Sequence, residues 1–449
     1  MRLRVLGRVA AAACLTAAPL RAADVYISLA GSGGAQALPL GLPPFVANDA
    51  TSPHDSLMAK QTQDVVRQDL MFSRYFRIIE DGPRYDGRNV KDIARGWKTR
   101  GAWWLLTAKV AAPPGPMAQG PSPEPRARAS GKASPVNVTV SLTNLQSGEQ
   151  VFDRYYGQEA RFWRSLAHRV SDDLVKAMTG KQGLAHSQVV FCNDQTGHKE
   201  AYIADYDGAN LRRLTSHRSI TLLPRISPDR KSVAYTSYKD GNPDLFLLDL
   251  LTGKTKPLSN EQGLNVAGGF SPDGSLMLMT LSRQKNPNIF VKNLADGSIT
   301  RVTQHSGVDT SPTFSPDAGQ AAFVSDRSGN PQVYVLDMTT RRVRKLTRMN
   351  WCDSPSWSPT GEWIAFAGRR GPKDPIDIFL VDVTGSQVRQ VTHGEGSNED
   401  PSWSPDGRFL AFVTTRSGRP ELFLMDADGS APHKLADLPG SSFTPHWSL

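Results

Sequence analysis

The C-terminal half of the chain repeats one pattern of apolar and polar positions about every 44 residues. In each copy an aromatic or aliphatic residue followed by serine ends a short apolar run, and successive serines lie 44, 44, 43, 46 and 44 residues apart. Short runs of this kind, bounded by turn residues, predict β-strands. The six copies are Ile226-Ser227, Phe270-Ser271, Phe314-Ser315, Trp357-Ser358, Trp403-Ser404 and Trp447-Ser448.

Turn residues follow the serine in most copies. Five copies continue as Pro-Asp-Gly or a close variant, as in Pro272-Asp273-Gly274. Proline presets φ, aspartate caps the turn and glycine accepts a positive φ, so each copy predicts a strand that runs into a tight hairpin. An aromatic position recurs with the same period, and an Asp or Asn three residues later opens another hairpin. The aromatic positions are Tyr202, Phe246, Phe290, Tyr334, Phe379 and Phe423.

Each copy therefore holds four short strands in about 44 residues, which is the size of one blade of a β-propeller. The six aromatic positions predict six blades. Residues 189–215 supply three strands with no preceding inner strand, whereas residues 443–448 supply an inner strand with nothing after it. We expect the C-terminal strand to complete the first blade and close the ring. The alternative, an open β-solenoid, leaves this complementary offset unexplained.

The chain before the repeat lacks this period and predicts a separate α/β domain with a small mixed sheet. Helical spacing of apolar residues predicts helices over residues 57–72 and 162–178, and a short helix over residues 90–98. Residues 113–135 contain seven Pro and three Gly and predict a flexible loop. Strands are predicted over residues 25–29, 38–42, 76–79, 103–110, 136–142 and 150–156. We place this domain at residues 24–183 and the propeller at residues 184–449.

The first 23 residues are typical of a secretory signal peptide. Three arginines precede or interrupt a small-residue apolar run over residues 9–20, and Ala22 and Ala23 follow it. We expect cleavage near Ala22 or Ala23 and export of the mature chain to the periplasm. Two alternatives are an uncleaved anchor and a lipoprotein signal that ends at Cys14. The arginines are Arg2, Arg4 and Arg8.

The formal net charge of +9 could indicate a nucleic-acid partner, but its distribution does not support one. Removal of the signal peptide, which contains Arg21 besides the three arginines named above, lowers the charge from +9 to +5. Many remaining cations lie on or beside the last strand of each copy, where exposed charges discourage edge-to-edge pairing. A nucleic-acid surface would gather them on one face with stacking aromatics. These cations are Arg212, Arg213, Lys254, Lys256, Arg301, Arg344, Lys345, Arg389 and Lys434.

No sequence motif for catalysis or metal binding stands out. The nucleophile elbow Gly-x-Ser-x-Gly is absent from the sequence. The segment Asp205-x-Asp207-Gly208 resembles a fragment of a calcium loop, but it lacks the glutamate at the twelfth position and coincides with a repeat hairpin, so we favour a plain turn. Cys192 and Cys352 fall in different copies and predict two buried thiols rather than a disulfide. We expect no catalytic residue, cofactor or metal ion.

The segments that lead into the inner strands are expected to gather at one mouth of the propeller channel. Three of these segments carry acids at matching places in the loops, namely Asp309, Asp353 and Asp400. One interpretation is that these acids cap turns. The other is an acidic rim that accepts a protein loop or peptide, and the sequence leaves both open.

Several segments, spread over nearly the whole chain, resemble the TolB family of the Tol–Pal system. Residues 66–79 resemble the first helix and following strand of that family, and residues 164–183 resemble its linker helix. The stretch from Ser325 to Tyr334, Ser-Asp-Arg-Ser-Gly-Asn-Pro-Gln-Val-Tyr, is similar to its most recognisable blade motif. Trp447-Ser448 is similar to its C-terminal end. A further segment resembles the N-terminus of the mature proteins of that family, and it consists of Asp24, Val25, Tyr26, Ile27 and Ser28.

The resemblance implies a non-enzymatic, monomeric periplasmic adaptor that supports outer-membrane integrity and constriction during cell division. It would reach membranes only through partners and would bind no nucleic acid. Residues 24–28 would bind a TolA-like inner-membrane protein, and the channel mouth would bind a Pal-like outer-membrane lipoprotein. A propeller hydrolase acting on peptides or glycans is the alternative. The implied mouth residues are Leu264, Asn265, Ala267, Asp309, Thr310, Asp353, Ser354, Glu399 and Asp400.

Overall fold

The computed structural model describes residues 37–112, 135–283 and 285–448. The predicted signal peptide, the predicted strand over residues 25–29 and the segment 24–28 lie outside these ranges. Of the predicted Pro-rich loop, only Pro135 lies inside them.

A six-stranded mixed sheet forms the N-terminal domain, as predicted. The strand order is β3-β1-β4-β5-β6, and β2 pairs with β4. The pairs among β1 to β4 are parallel, and β4, β5 and β6 are antiparallel. The elements are β1 Leu38–Gly41, β2 Val46–Ala47, α1 Pro53–Phe72, β3 Phe76–Ile79, α2 Lys91–Lys98, β4 Trp104–Ala111, β5 Pro135–Asn144, β6 Gln150–Glu159 and α3 Trp163–Thr179.

Helices α1 and α3 pack against each other and against the sheet. The side chain of Ser52 accepts a hydrogen bond from the Asp55 amide, and Pro53 at the first position has no N–H to satisfy, so α1 begins there. Helix α3 ends at Gly180, whose φ of 72° is the left-handed conformation that glycine adopts without strain. No helix in the described ranges combines the length and hydropathy that a membrane span requires.

Six four-stranded antiparallel sheets follow, which confirms the predicted six-bladed propeller. The strands are β7 Gln188–Asn193, β8 Glu200–Asp205, β9 Arg212–Arg213, β10 Thr221–Ile226, β11 Ser232–Ser237, β12 Asp244–Asp249, β13 Thr255–Ser259, β14 Asn265–Phe270, β15 Leu276–Leu281, β16 Asn288–Asn293, β17 Ile299–Arg301, β18 Asp309–Phe314, β19 Gln320–Ser325, β20 Gln332–Asp337, β21 Val343–Lys345, β22 Trp351–Trp357, β23 Trp363–Arg369, β24 Asp377–Asp382, β25 Val388–Gln390, β26 Asn398–Trp403, β27 Phe409–Thr414, β28 Glu421–Asp426, β29 His433–Lys434 and β30 Ser442–Trp447.

The last strand closes the ring, as predicted from the offset of the repeats. Strand β30 is the innermost strand of the sheet β30-β7-β8-β9, so this blade joins the two ends of the propeller sequence. The Trp447 indole is buried and donates from Nε1 to Ser187 Oγ at 2.8 Å. The Ser448 amide donates to the Gln188 carbonyl oxygen at 2.7 Å. The two contacts hold the end of the chain to the start of β7 and to the residue before it.

The recurring Ser-Pro-Asp has a structural role at the hairpin after each inner strand. The Ser271 hydroxyl donates to Asp273 at 2.5 Å, and its oxygen accepts the Leu276 amide at 2.9 Å. The Ser271 hydrogen bond lowers the pKa of Asp273 to about 2. Four copies share the serine–aspartate bond, so the motif is a turn clamp. Cys192 and Cys352 are buried free thiols, as predicted.

Replacing Trp447 with alanine tests the closure. We expect a loss of about 3–5 kcal/mol in the free energy of unfolding, because a large buried side chain leaves a cavity at the seam of the ring. Denaturant unfolding measures this change. The control is Tyr155→Ala, since Tyr155 is 68% exposed, and its effect should stay within about 0.5 kcal/mol. Equal effects of the two changes would contradict closure by β30.

Candidate binding site at the channel mouth

Six inner strands surround the channel, namely β10, β14, β18, β22, β26 and β30. Each contacts the next, and the last contacts the first. Five of them lead outward through the same sequence of hairpins, and β30 is antiparallel to β7 just as each of the others is to its neighbour, so all six run in one direction. One mouth is therefore surrounded by the starts of the inner strands, and the other by the hairpins that follow their ends.

The α/β domain lies against the hairpin end of the channel. The ring of Phe72, at the end of α1, stacks on Phe409 at 4.5 Å between centroids. Arg74 forms an ion pair with Asp426 at 3.3 Å. Phe409 begins its strand and Asp426 ends one, and both lie at the edge of the blade where the inner strands end. The mouth at the strand starts consequently faces away from the α/β domain.

Every inner strand contains a bulge, at the same position in five of them and one residue later in β14. A bulge inserts an extra residue, so two consecutive half-buried side chains face the channel instead of alternating. In β14 the bulge contains Gly268 instead, whose φ is not positive, and a Cβ on that residue would lie 2.6 Å from the Leu278 carbonyl oxygen. The other five strands hold a non-glycine residue at φ 48–52°. These residues are Leu223, Ser311, Ser354, Asp400 and Thr444.

Acids and hydroxyls line one half of the channel mouth, and we call them the acidic arc. The Ser311 hydroxyl donates to Asp353 at 3.2 Å, and the Ser354 hydroxyl donates to Asp400 at 2.7 Å. Both bonds cross from one inner strand to the next. The arc is formed by Thr310, Ser311, Asp353, Ser354, Glu399 and Asp400 on β18, β22 and β26.

Asp353 is the acid of this arc whose ionised form is disfavoured by its surroundings. Burial raises the pKa of Asp353, the Ser354 amide hydrogen bond opposes that rise, and the nearby charges of Asp400 and Glu399 add to it. A partly desolvated carboxylate beside two other acids is stabilised when a cation approaches it. The arc is therefore suited to a partner that brings Lys or Arg side chains.

Apolar side chains line the other half of the mouth, and we call them the apolar crescent. On its outer edge Ile220, Leu264 and Val308 are 49%, 36% and 42% exposed, each directly before an inner strand. Exposed apolar side chains gathered around a concavity are typical of protein-binding surfaces. Inside the channel the crescent continues with Leu222, Leu223, Val266 and Phe443.

The structure places only part of the predicted contact set at this surface. Leu264 lies on the crescent, and Thr310, Asp353, Ser354, Glu399 and Asp400 lie on the arc. The remaining predicted mouth residues are buried, namely Asn265, Ala267 and Asp309.

Two of these buried residues have structural partners, which corrects the prediction. Asn265 accepts from Ser259 Oγ at 2.6 Å and holds its own loop. Arg327 Nη2 donates to both carboxylate oxygens of Asp309, at 2.8 and 2.9 Å. The expected match of Asp309 with Asp353 and Asp400 is wrong, because Asp309 occupies the first paired position of its strand while the other two face the channel.

A ring of buried polar residues that sequence reasoning missed supports the mouth loops. Asp377 accepts from the Thr392 hydroxyl at 2.7 Å and from the Gly394 amide at 3.0 Å, which positions the loop before β26. Residues at the equivalent start of each third strand recur every 44 or 45 residues, a spacing that could have revealed them. They are Glu200, Asp244, Asn288, Gln332, Asp377 and Glu421.

At the mouth end of the blades, cations lie over five of the six recurring aromatic residues, which we call the aromatic column. Lys239 lies 4.4 Å from the Phe246 ring centroid, and the Arg416 guanidinium lies 4.8 Å from that of Phe423. Phe290, Tyr334 and Phe379 are covered by arginines in the same way. Such contacts contribute about 0.5–2 kcal/mol each and tie the tips of the blades to their cores.

Comparison with known proteins shows the family. The family model described as the TolB beta propeller domain matches residues 175–449. The Tol-Pal system protein TolB of Syntrophotalea carbinolica is 33% identical over 176 residues, 39% of this chain and 38% of that protein. The Protein TolB homolog of Chlorobium chlorochromatii is 33% identical over 221 residues, 49% of this chain and 46% of that protein. The matches thus span less than half the length of these curated relatives.

A solved structure extends the similarity beyond the propeller. The crystal structure of TolB from Acinetobacter baumannii has a TM-score of 0.74 and 26% sequence identity to this chain. The superposition covers 92% of this chain and 97% of that one. The arrangement of an α/β domain followed by a six-bladed propeller is therefore shared with that protein.

Replacing Asp353 with asparagine tests the electrostatics of the arc. Because the pKa of Asp353 is raised in the folded state, ionisation of its carboxyl lowers the free energy of unfolding of the native chain as pH rises through that pKa. Asparagine does not ionise, so the variant does not lose this stability. We expect the unfolding free energy of Asp353→Asn, relative to the native chain, to increase from about pH 3 to about pH 7. The opposite trend should appear for Asp273→Asn, whose carboxyl has a lowered pKa. Trends of the same sign would contradict this assignment.

Proposed function

The chain belongs to the TolB family, and from this membership we propose that it is a periplasmic, non-enzymatic adaptor of a Tol–Pal system. It binds a Pal-like outer-membrane lipoprotein at the channel mouth and a TolA-like inner-membrane protein through residues 24–28. The N-terminal sequence, typical of a signal peptide, supports the periplasmic location. The role in outer-membrane integrity and division belongs to this proposal.

The observation that carries the proposal is the two-sided channel mouth. Its apolar crescent and acidic arc face each other across one concavity on the side away from the α/β domain. A protein loop that inserts an apolar side chain against the crescent and a Lys or Arg against the arc would satisfy both halves at once. Complete burial of one aliphatic side chain contributes about 1.5–3 kcal/mol, and a few such anchors account for specific binding.

The chemistry of the arc supports binding rather than catalysis. The Ser311 and Ser354 hydroxyls donate to carboxylates on neighbouring strands and hold the inner strands together. An activated serine would instead donate to a histidine oriented by a third group. The hydrolase alternative would require Asp353 and Asp400 to work as an acid and base pair, and measured turnover of an exported peptide or glycan would favour it.

Reversing the character of the crescent tests the site. We expect the double variant Leu264→Asp, Val308→Asp to weaken binding of the Pal-like lipoprotein at least 100-fold in isothermal titration, since two apolar anchors are lost and charge is placed beside the acids. Both side chains are exposed, so folding should be retained. The matched control is Leu251→Asp, a 93% exposed leucine at the hairpin end of its blade. Unchanged affinity in the double variant would remove the mouth from the proposal.

Deleting residues 24–28 tests the second partner. We expect the deletion to abolish capture of the TolA-like protein in a pull-down and to leave binding of the Pal-like lipoprotein within about threefold, since the proposal assigns each partner to a different part of the chain. The crescent variant should show the reverse pattern. Loss of both partners in either variant, or of neither, would contradict the assignment of one partner to each surface.

A further inference from the structure

A buried cluster of ionisable residues joins the α/β domain to the blade that closes the ring. His168 on α3 is 3% exposed at its side chain and lies against Asp69 of α1. From the propeller side, the turn after β8 brings Asp205, Tyr206 and Asp207 to the same place. The cluster thus contains residues far apart in sequence.

One ring nitrogen of His168 has a hydrogen-bond partner, and the other has none among the described residues. Its Nδ1 lies 3.1 and 3.0 Å from the two carboxylate oxygens of Asp69, so Nδ1 carries a proton and donates to them. The Tyr206 hydroxyl also donates to Asp69, at 2.7 Å. Nε2 is buried without a hydrogen-bond partner among the described residues, and Asp205 Oδ2 lies 3.9 Å away.

The carboxylates around this nitrogen are held by further partners. Arg164 donates to Asp207, and Asn210 donates to Asp205 Oδ2 at 2.6 Å. Donor atoms of Asp69, His168 and Asp207 all lie within 4.8 Å of one another. Metal-binding histidines and carboxylates are oriented by this kind of outer hydrogen bond, above all by a carboxylate on the second imidazole nitrogen.

The charge of the cluster favours a cation. Three carboxylates, those of Asp69, Asp205 and Asp207, lie around His168, and Arg164 donates to Asp207. Burial lowers the pKa of His168, but the three carboxylates raise it by more, which shows that this place favours a positive charge. Surplus negative charge away from water is costly unless a cation compensates it. His186 and Asp172 lie beside the cluster but pair with each other at 3.3 Å, so they do not neutralise it.

We propose that this cluster binds a divalent transition-metal ion of the zinc class through His168 Nε2, Asp205 and Asp207, with Asp69 orienting the imidazole. Imidazole nitrogen with carboxylate oxygen suits zinc and its neighbours, at ligand distances of about 2.0–2.2 Å. A tetrahedral ion places two such ligands about 3.4 Å apart, so the 3.9 Å separation closes by about half an ångström. The Asp205-x-Asp207 segment is then both a turn and half of a metal site.

The site goes beyond the proposed adaptor role and does not depend on it. Its ligands come from α3 and from the first blade of the sequence, so a bound ion links the two domains directly. Ligand binding to the folded state alone raises the thermal midpoint. Occupancy should therefore stabilise the full chain against separation of its domains.

Titration of the chelator-treated full-length chain with ZnCl₂ tests the site. We expect one ion per chain by isothermal titration and an increase of several degrees in Tm. Co²⁺ should give visible absorption bands of a low-coordinate nitrogen–oxygen site. His168→Gln and Asp205→Asn should each lower the affinity at least 10-fold and abolish the Co²⁺ bands, whereas the control His186→Gln should retain both.

Three outcomes would overturn the proposal. One is the absence of zinc binding and of Co²⁺ bands in the native chain, with a Tm that changes between about pH 5 and about pH 8, because a protonated His168 would then supply the cation. Another is unchanged affinity in both ligand variants. The last is loss of binding in His186→Gln alone, which would show that the ion binds at the segment between α3 and β7 instead. Should one ligand variant fail to fold, the other and the Co²⁺ spectrum still decide.

Discussion

Pairing of the last strand with the first blade is the constraint on which the rest of the structure depends. Six twisted sheets bury their faces only against one another, so each blade needs two neighbours, and the end blades are satisfied only when β30 joins β7. The same closure aligns all six inner strands in one direction. That alignment separates a mouth surrounded by strand starts from one surrounded by hairpins. Every later functional distinction in the molecule follows from this polarity.

Because all six inner strands run in one direction, the two ends of the channel differ in structure. The hairpin end carries the Ser-Pro-Asp clamps and receives α1 and α3, with Phe72 stacked on Phe409. The opposite end holds the bulged inner strands, whose doubled channel-facing positions create the crescent and the arc. Buried residues such as Asp377 stiffen the loops around that mouth, so a partner meets a preformed surface and loses less entropy on binding.

Much of the fold was predictable because repeat spacing is a strong signal. The 44-residue period gave the blades, the aromatic column and the closing strand, since each depends on local turn chemistry and strand length. The site was less accessible. Asp309 looked equivalent to Asp353, yet a shift of one position along a bulged strand moves a side chain from the channel into a buried ion pair with Arg327. The serine column already shows this shift, because Asp309 lies six residues before Ser315 and Asp353 five before Ser358, but the bulge and the buried ion pair that give the shift its effect are set by the folded strands.

The interdomain cluster was beyond sequence reasoning for a different reason. His168, Asp69 and Asp207 belong to a helix pair and a blade turn, and only the docking of the two domains brings them together. The sequence alone shows nine histidines scattered along the chain and two Asp-x-Asp-Gly turns, at residues 205–208 and 426–429. Of the outer edge of the apolar crescent only Leu264 was predicted, because Ile220, Leu264 and Val308 precede different strands and gather only around a closed ring.

Hydrogen exchange read by mass spectrometry, with and without a saturating Pal-like lipoprotein, tests the central claim most directly. The account predicts protection confined to the loops before the inner strands, residues 216–220, 260–264 and 303–308, together with the starts of β22 and β26. The hairpins at the other end and the α/β sheet should exchange unchanged. Protection centred on the hairpin end or on the α/β sheet, with none at the crescent, would contradict the claim that the channel mouth is the binding surface.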